Sequence, residues 1–345
     1  MQQTAMFPEM VERKRLLPII GEQKDIRYIG RTATTILNSP ETTGMDFWSI
    51  NPYVGCAFGC AYCYARYAHR YAMDRVAGGD PSGLPPWLAF ERRIFVKENA
   101  ADVLARTMLR GARAKTPGGP FAGEPIAIGT ATDPYQPAER RYRVTRGILE
   151  VLASYEGLYV GIVTKSPLIT RDIDILARMS QRSAVHVHVS LITLDRDLAR
   201  KLEPRAPTPE SRLRAIARLS EAGIDVGVNV MPVLPGITDR PDDIEALVTR
   251  VAAAGASHLG ACALRLRSEA KQRYLPMIAE EFPHLTARYT ASYNAHHELG
   301  EGYRAGLRKF FQKACAKAGI RFGRYTEDEA EARMEAMNWQ TELGL

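Results

Sequence analysis

Cys56, Cys60 and Cys63 stand at a C-x3-C-x2-C spacing inside FWSINPYVGCAFGCAYCYARYAH, residues 47–69, and are three of the chain's five cysteines. An extended residue spans at most roughly 3.3–3.6 Å, so a single loop must present the three sulfurs close together. Their odd number and the lack of a secretory signal argue against disulfides. A structural zinc site closes with four ligands, usually as two short-spaced pairs. No second C-x2-C occurs, and Cys262 and Cys315 are isolated. With His69 as fourth ligand, a Cys3His zinc site in a non-enzymatic nucleic-acid-binding module stays open. A [4Fe–4S] cluster is normally held by four cysteines, so three leave one iron to bind something else, which suits catalysis.

The elements that must position these sulfurs come next. FWSINPYV alternates like a strand, Gly55 and Gly59 allow tight folding, and a helical pattern runs from Arg66 to Met73. Residues 76–90 and 115–124 are Gly/Pro-rich loops around a strand, ERRIFVKEN, and a helix over 100–114. Strands EPIAIGTAT, LYVGIVTKS, AVHVHVSLI, IDVGVNVMPV and SHLGACALRL then alternate with helices near 145–154, 169–179, 208–222 and 241–254. Near-continuous apolar strands alternating with helices mean parallel strands buried on both faces. The count fits an incomplete (β/α) barrel, with the site at the carboxyl ends of its strands.

The cysteine spacing, with Tyr62 before the last cysteine, resembles the signature of the radical S-adenosylmethionine (radical SAM) superfamily. NPYVGCAFGCAYCYAR is similar to the branch holding spore photoproduct lyase and the "DNA repair photolyase" relatives. The resemblance implies a partial (β/α)6 TIM-like barrel with a [4Fe–4S] cluster on Cys56, Cys60 and Cys63. It implies that the free iron binds S-adenosylmethionine (SAM). One electron, from a donor such as a flavodoxin or ferredoxin, would then yield a 5′-deoxyadenosyl radical that abstracts hydrogen from a substrate.

On that footing the strand ends supply candidate cofactor contacts. Thr130, Thr132 and Asp133 follow IAIGTAT and would meet the SAM amino group, although Asp133 would equally cap the turn before Pro134. Lys165 places a cation where a SAM carboxylate would sit. His186, His188 and Ser190 share one strand face; the histidines read as satisfied by neighbours. Glu203 and Arg205 occupy a Glu-Pro segment that faces the site in the lyase-like branch. Asn229 and Met231 resemble the adenine-side wall of relatives. The lyase pattern also carries over to Tyr62, Tyr64, Thr132, Lys165 and Ser190. It fails at Thr130, where the lyases have a cysteine that returns hydrogen to the product radical. Cys262 is a candidate replacement donor, though it reads more readily as a small buried hydrophobe.

The remaining composition is that of an ordinary soluble globular protein. The chain has 345 residues, 46% hydrophobic and 25% charged, and a formal charge of +7, compatible with an anionic partner such as nucleic acid. No apolar run approaches the roughly 18 residues that span a membrane. Residues 1–25 carry Glu9, Glu12, Lys14 and Arg15 without an apolar stretch, so a cytoplasmic location is expected. The layout expected is an N-terminal extension (1–45), a barrel domain (46–265) and a helical C-terminal region (266–345). In the last, Leu307, Phe310, Phe311, Ala314, Cys315 and Ala318 form an apolar stripe opposite Arg304, Arg308, Lys309, Lys313 and Lys317. That basic face is either solvated or touches phosphates, and the acidic TEDEAEARMEAMNW that follows would pair with it or cap the barrel mouth. Two substrate classes are weighed: a nucleic-acid lesion, and a peptide or small metabolite, the latter favoured by auxiliary clusters that no further cysteine group is present to hold.

Overall fold

The computed structural model describes residues 18–69, 83–113 and 124–323. Its strands are β1 (Ile19–Gln23), β2 (Ile26–Arg31), β3 (Leu37–Asn38), β4 (Trp48–Ile50), β5 (Tyr53–Val54), β6 (Arg93–Lys97), β7 (Pro125–Ile128), β8 (Tyr159–Thr164), β9 (Ala184–Ser190), β10 (Asp225–Val233), β11 (His258–Ala263) and β12 (Arg321–Phe322). The larger sheet runs β12-β11-β10-β9-β8-β7-β4-β3. Every neighbouring pair from β4 to β12 is parallel, and β3 alone is antiparallel. A consecutive parallel order with helices between the strands is the partial barrel that the patterning implies.

Beyond two single turns at Pro40–Thr43 and Pro86–Ala89, the second inside the stretch read as a loop, the helices are α1 (Ala100–Arg113), α2 (Pro137–Tyr142), α3 (Val144–Leu152), α4 (Ile173–Ser180), α5 (Arg196–Leu202), α6 (Pro209–Glu221), α7 (Pro241–Ala253), α8 (Ser268–Glu281), α9 (Thr286–Tyr293) and α10 (Glu301–Lys317). One core joins Ile126, Val160, Val187 and Val228 on the strands to Ile148, Leu176, Ile216 and Val251 on the helices. The central strands are thus covered by helices and read as apolar runs. Among the described residues, no helix is long and apolar enough to cross a membrane.

Several elements differ from the sequence reading. FWSINPYV does not make one strand. It breaks at Asn51-Pro52, where proline lacks the N–H that a central strand needs. Trp48–Ile50 stays beside β7, while Tyr53–Val54 turns away to pair with β6. Strand β6, read as ERRIFVKEN, belongs with β5 and the β1–β2 hairpin in a separate four-stranded sheet. The polar N-terminal stretch therefore contributes strands, and its partner in sequence lies more than sixty residues away. After β7 the helix begins earlier than expected, at Pro137, and is interrupted where Arg143 takes φ 50°. Helix α5 was not anticipated; the Asp195 carboxylate starts it by accepting from Asp197 N and Leu198 N at 2.8 and 3.0 Å. The expected helix from Arg66 begins as a turn over Tyr64–Tyr67, and its part beyond His69 lies outside the described residues, as does TEDEAEARMEAMNW.

In α10, Phe311, Ala314 and Cys315 are buried, with Leu307, Phe310 and Ala318 packed beside them. The opposite face is partly neutralised: Arg304 meets Glu298 at 2.9 Å and Glu301 at 2.7 Å, and Lys317 meets Glu245 at 3.0 Å. Truncating Phe311 to Ala should lower unfolding stability by about 3–5 kcal/mol. Lys317→Ala, which removes an exposed ion pair, should change it by less than about 1 kcal/mol. Equal effects of the two in urea titration would mean that α10 is not part of the barrel's core.

Candidate active site

The cysteine loop is held from every side before its sulfurs are considered. Gly55 and Gly59 adopt φ 87° and 67°, open to glycine at no steric cost. Space matters as much: a Cβ on Gly55 would lie 2.7 Å from the Phe90 carbonyl, and one on Gly59 2.6 Å from Arg205 Nη2. Cys56 N donates to Phe90 O at 2.9 Å, and Ala61 N to Leu202 O at 2.9 Å. Gln136 sits under the loop, donating to Gly55 O at 3.1 Å and accepting from Ala57 N at 2.9 Å. Arg205 donates to Ala57 O at 2.6 Å, and the fully buried Arg66 donates to Cys60 O at 2.7 Å. Both arginines reach the buried Glu91 carboxylate, at 3.6 and 2.9 Å, and Arg273 approaches it at 3.8 Å.

Within this cradle Cys56 and Cys60 are buried, Cys63 is half-buried, and none is in a disulfide. Burial pushes the Cys60 thiol up to about 12 and Cys56 well above its ordinary value. Asp133, Cys60 and Cys63 add to the rise at Cys56, so the three thiols act on one another. Among the described residues, no set of three His, Cys, Asp or Glu is drawn tightly enough for a single metal ion. The donor set fits a thiolate-ligated cluster: soft sulfurs on one loop, whose protons a bound cation would displace. His69, the expected fourth zinc ligand, has its ring packed on Phe90 and Phe95 at 6.0 and 5.5 Å between centroids.

Beside Cys60 lies a buried polar group drawn from three further elements. Tyr62 OH and Arg212 Nη2 donate to opposite oxygens of Glu203. Lys165 Nζ stands 3.9 Å from Glu203 and 5.7 Å above the Tyr62 ring. Burial would raise the Glu203 carboxyl, but Arg212 and Lys165 outweigh it and hold it below its usual range. Burial would lower Lys165, but Cys60 and Glu203 outweigh it and keep the ammonium charged. Two cations against one carboxylate leave positive charge next to the thiols, which favours anions there.

Several of the other expected residues brace the strand ends. Asp133 is a strut: its carboxylate accepts from Tyr135 N at 2.9 Å, Thr164 Oγ1 at 2.7 Å and Lys165 N at 2.7 Å, stapling the ends of β7 and β8. Thr132 bonds Gly55 O at 2.6 Å, and Thr130 accepts from Asn51 Nδ2 at 3.2 Å. The Tyr64 hydroxyl donates to Thr130 O. Arg212 Nη1 holds Ser190 O at 3.0 Å, tying the end of β9 to Glu203. Asn229 stands opposite Ser190 and Gly260 in the register, and a Cβ on Gly260 would fall 2.8 Å from Met231 Cε. Both residues lie on β10. His186 Nδ1 pairs with Asp225 at 2.8 Å, and His188 packs on His258, in keeping with satisfied histidines. Cys262 is exposed, which corrects its reading as a buried hydrophobe. Sequence reasoning missed Asn51, Arg66, Glu91 and Gln136, whose polar side chains find their partners only once the chain has folded.

Removing the Glu91 carboxylate should leave three guanidiniums facing one another. Glu91→Ala is expected to destabilise the fold by about 3–5 kcal/mol and to speed labelling of the loop thiols by an aromatic disulfide reagent. Unchanged labelling would show that the loop is held without it.

Residues 50–250 match the Radical SAM superfamily. An uncharacterised protein of Mycobacterium tuberculosis is 35% identical over 279 residues, 81% of this chain and 76% of its own length. A protein of Pseudomonas phage M6 named radical SAM Nalpha-GlyT isomerase is 28% identical over 283 residues, 79% of this chain and 52% of its own. Among solved structures, a mutant spore photoproduct lyase with dinucleoside spore photoproduct superposes with a TM-score of 0.62 at 15% identity, over 90% of this chain and 88% of the lyase. Another lyase mutant, with bound AdoMet and dinucleoside spore photoproduct, gives 0.62 at 14% identity, over 91% and 88%. At such identities the likeness is one of fold.

Proposed function

For a chain that belongs to the radical SAM superfamily, we propose that Cys56, Cys60 and Cys63 hold a [4Fe–4S] cluster, that SAM binds beside it, and that the substrate is a modified or damaged nucleotide in nucleic acid. The observation that carries the reading is the convergence of Lys165, Glu203, Arg212 and Tyr62 on Cys60. When bound, the cluster and SAM supply a 5′-deoxyadenosyl radical that takes a hydrogen atom from the substrate.

The chain's own residues bind, orient and shield. Lys165 offers its ammonium to the SAM carboxylate, and Glu203 and Tyr62 hold that ammonium in place. Thr132, Asp133 and Arg205 keep the loop and strand ends in register. Asn229 and Met231 form the wall for adenine, with Ser190 beside them. The zinc-module alternative is set aside by the family.

Thr130 stands where the lyase family carries its hydrogen-donating cysteine, and an O–H bond is too strong to replace a thiol in that step. An isomerisation returns the abstracted hydrogen to the rearranged product, so it needs no separate donor. The printed name of the phage relative, an isomerase, supports that choice over spore photoproduct repair.

Anaerobic reconstitution should give a brown protein with about four irons, and reduction with SAM should yield 5′-deoxyadenosine. Cys60→Ala should lose both. Lys165→Ala should keep its iron and weaken SAM binding roughly ten-fold or more, the worth of a charge-assisted hydrogen bond. Zinc in place of iron would overturn the reading; unaltered SAM affinity in the lysine variant would overturn the role given to Lys165.

A further inference from the structure

Four large hydrophobic side chains are exposed among the described residues, and two of them, Tyr64 and Tyr67, stand on the turn that follows Cys63. Tyr64 is 53% exposed and Tyr67 42%. Tyr64–Tyr67 is a 3-10 turn, in which side chains three apart eclipse, so both rings share one face. The Tyr64 hydroxyl donates to Thr130 O at the end of β7, which fixes its ring beside the barrel mouth. Helix α8 packs against the same turn. Ala65 of the turn shares one buried apolar cluster with Leu264 and Leu266, which flank Arg265 just beyond β11. The end of β7 and the chain leaving β11 therefore lie against the turn that carries the two exposed rings.

Charge follows directly, since Arg265 stands between the two clustered leucines. Arg265 is 62% exposed and meets Glu298 at 2.8 Å, and Arg304 shares that carboxylate at 2.9 Å. Glu301 takes Arg304 at 2.7 Å and Arg308 at 3.8 Å. Three guanidiniums against two carboxylates leave a net positive rim.

We propose that Tyr64 and Tyr67 are a stacking platform for a nucleobase presented outside a duplex, with Arg265 receiving a flanking phosphate. The proposal rests on the nucleic-acid reading above and names the part of the surface that performs it. Two of the loop's thiols are buried, so a carbon attacked beside them must enter the mouth, and a base in a duplex stack does not reach it. Phenol faces accept any base, because every base has a π-face, and a guanidinium adds phosphate neutralisation. Pinning the Tyr64 ring in advance reduces the ordering cost of binding.

The test is fluorescence anisotropy of a labelled single-stranded oligothymidylate with the reconstituted whole protein under anaerobic conditions. Tyr67→Ala should weaken binding roughly five-fold or more, and Tyr67→Trp should restore it. Arg265→Ala should weaken binding and reduce the slope against salt by about one. Lys309→Ala with Lys313→Ala, on the exposed face of α10, should leave affinity unchanged. Binding that ignores Tyr67 and Arg265, or that is lost only in the α10 variant, overturns the platform and spares the nucleic-acid reading. Absence of binding to single-stranded and duplex probes alike, while SAM is still cleaved, overturns both.

Discussion

A buried carboxylate surrounded by guanidiniums is the constraint on which the cysteine loop depends. Glu91 lies almost wholly out of water, with Arg66, Arg205 and Arg273 around it. A charge so placed is tolerable only with partners, and the partners here also bind the loop's backbone. Arg66 holds the carbonyl of Cys60 and Arg205 that of Ala57. Electrostatic satisfaction of one acid and the shape of the sulfur-bearing loop are thus a single arrangement. The two glycines fit the same arrangement, because the space beside Gly59 is already filled by Arg205 and Glu91.

A second buried carboxylate performs the complementary task at the mouth. Glu203 joins the loop, through Tyr62, to β8 through Lys165 and to β9 through Arg212. Where Glu91 fixes the loop's outer side, Glu203 sets the charge its thiols face. Asp133 completes the framework by stapling the ends of β7 and β8 through three hydrogen bonds. Each acid sits in a loop just beyond or between regular elements, where parallel strands leave backbone groups to be satisfied. Their distribution explains why residues remote in sequence act on one loop.

The parallel sheet, the cysteine loop and its superfamily were legible from local pattern. Val185, Val187 and Val189 alternate with polar residues on a strand, and Cys56, Cys60 and Cys63 are close enough in the chain that no folding is needed to associate them. The place of Lys165 at the end of β8 was legible too, since the apolar run before it reads as a strand. The hairpin of β1 and β2 was not legible, because these short strands gain their meaning from the pairing of β2 with β6. Nor was the bracing by Asp133 and Arg205, because the backbone groups they hold lie far along the chain.

By itself, then, the chain determined the periodicities of its strands and helices, the sulfur spacing and the residue types at the strand ends, all of them properties of neighbours along a backbone. Tertiary structure alone decided which buried acid each arginine meets, that Tyr64 and Tyr67 are left open, and that Cys262 lies exposed. The physical reason is range. Backbone geometry and side-chain alternation act over a few residues, whereas burial and ion pairing depend on what the fold brings from far along the chain.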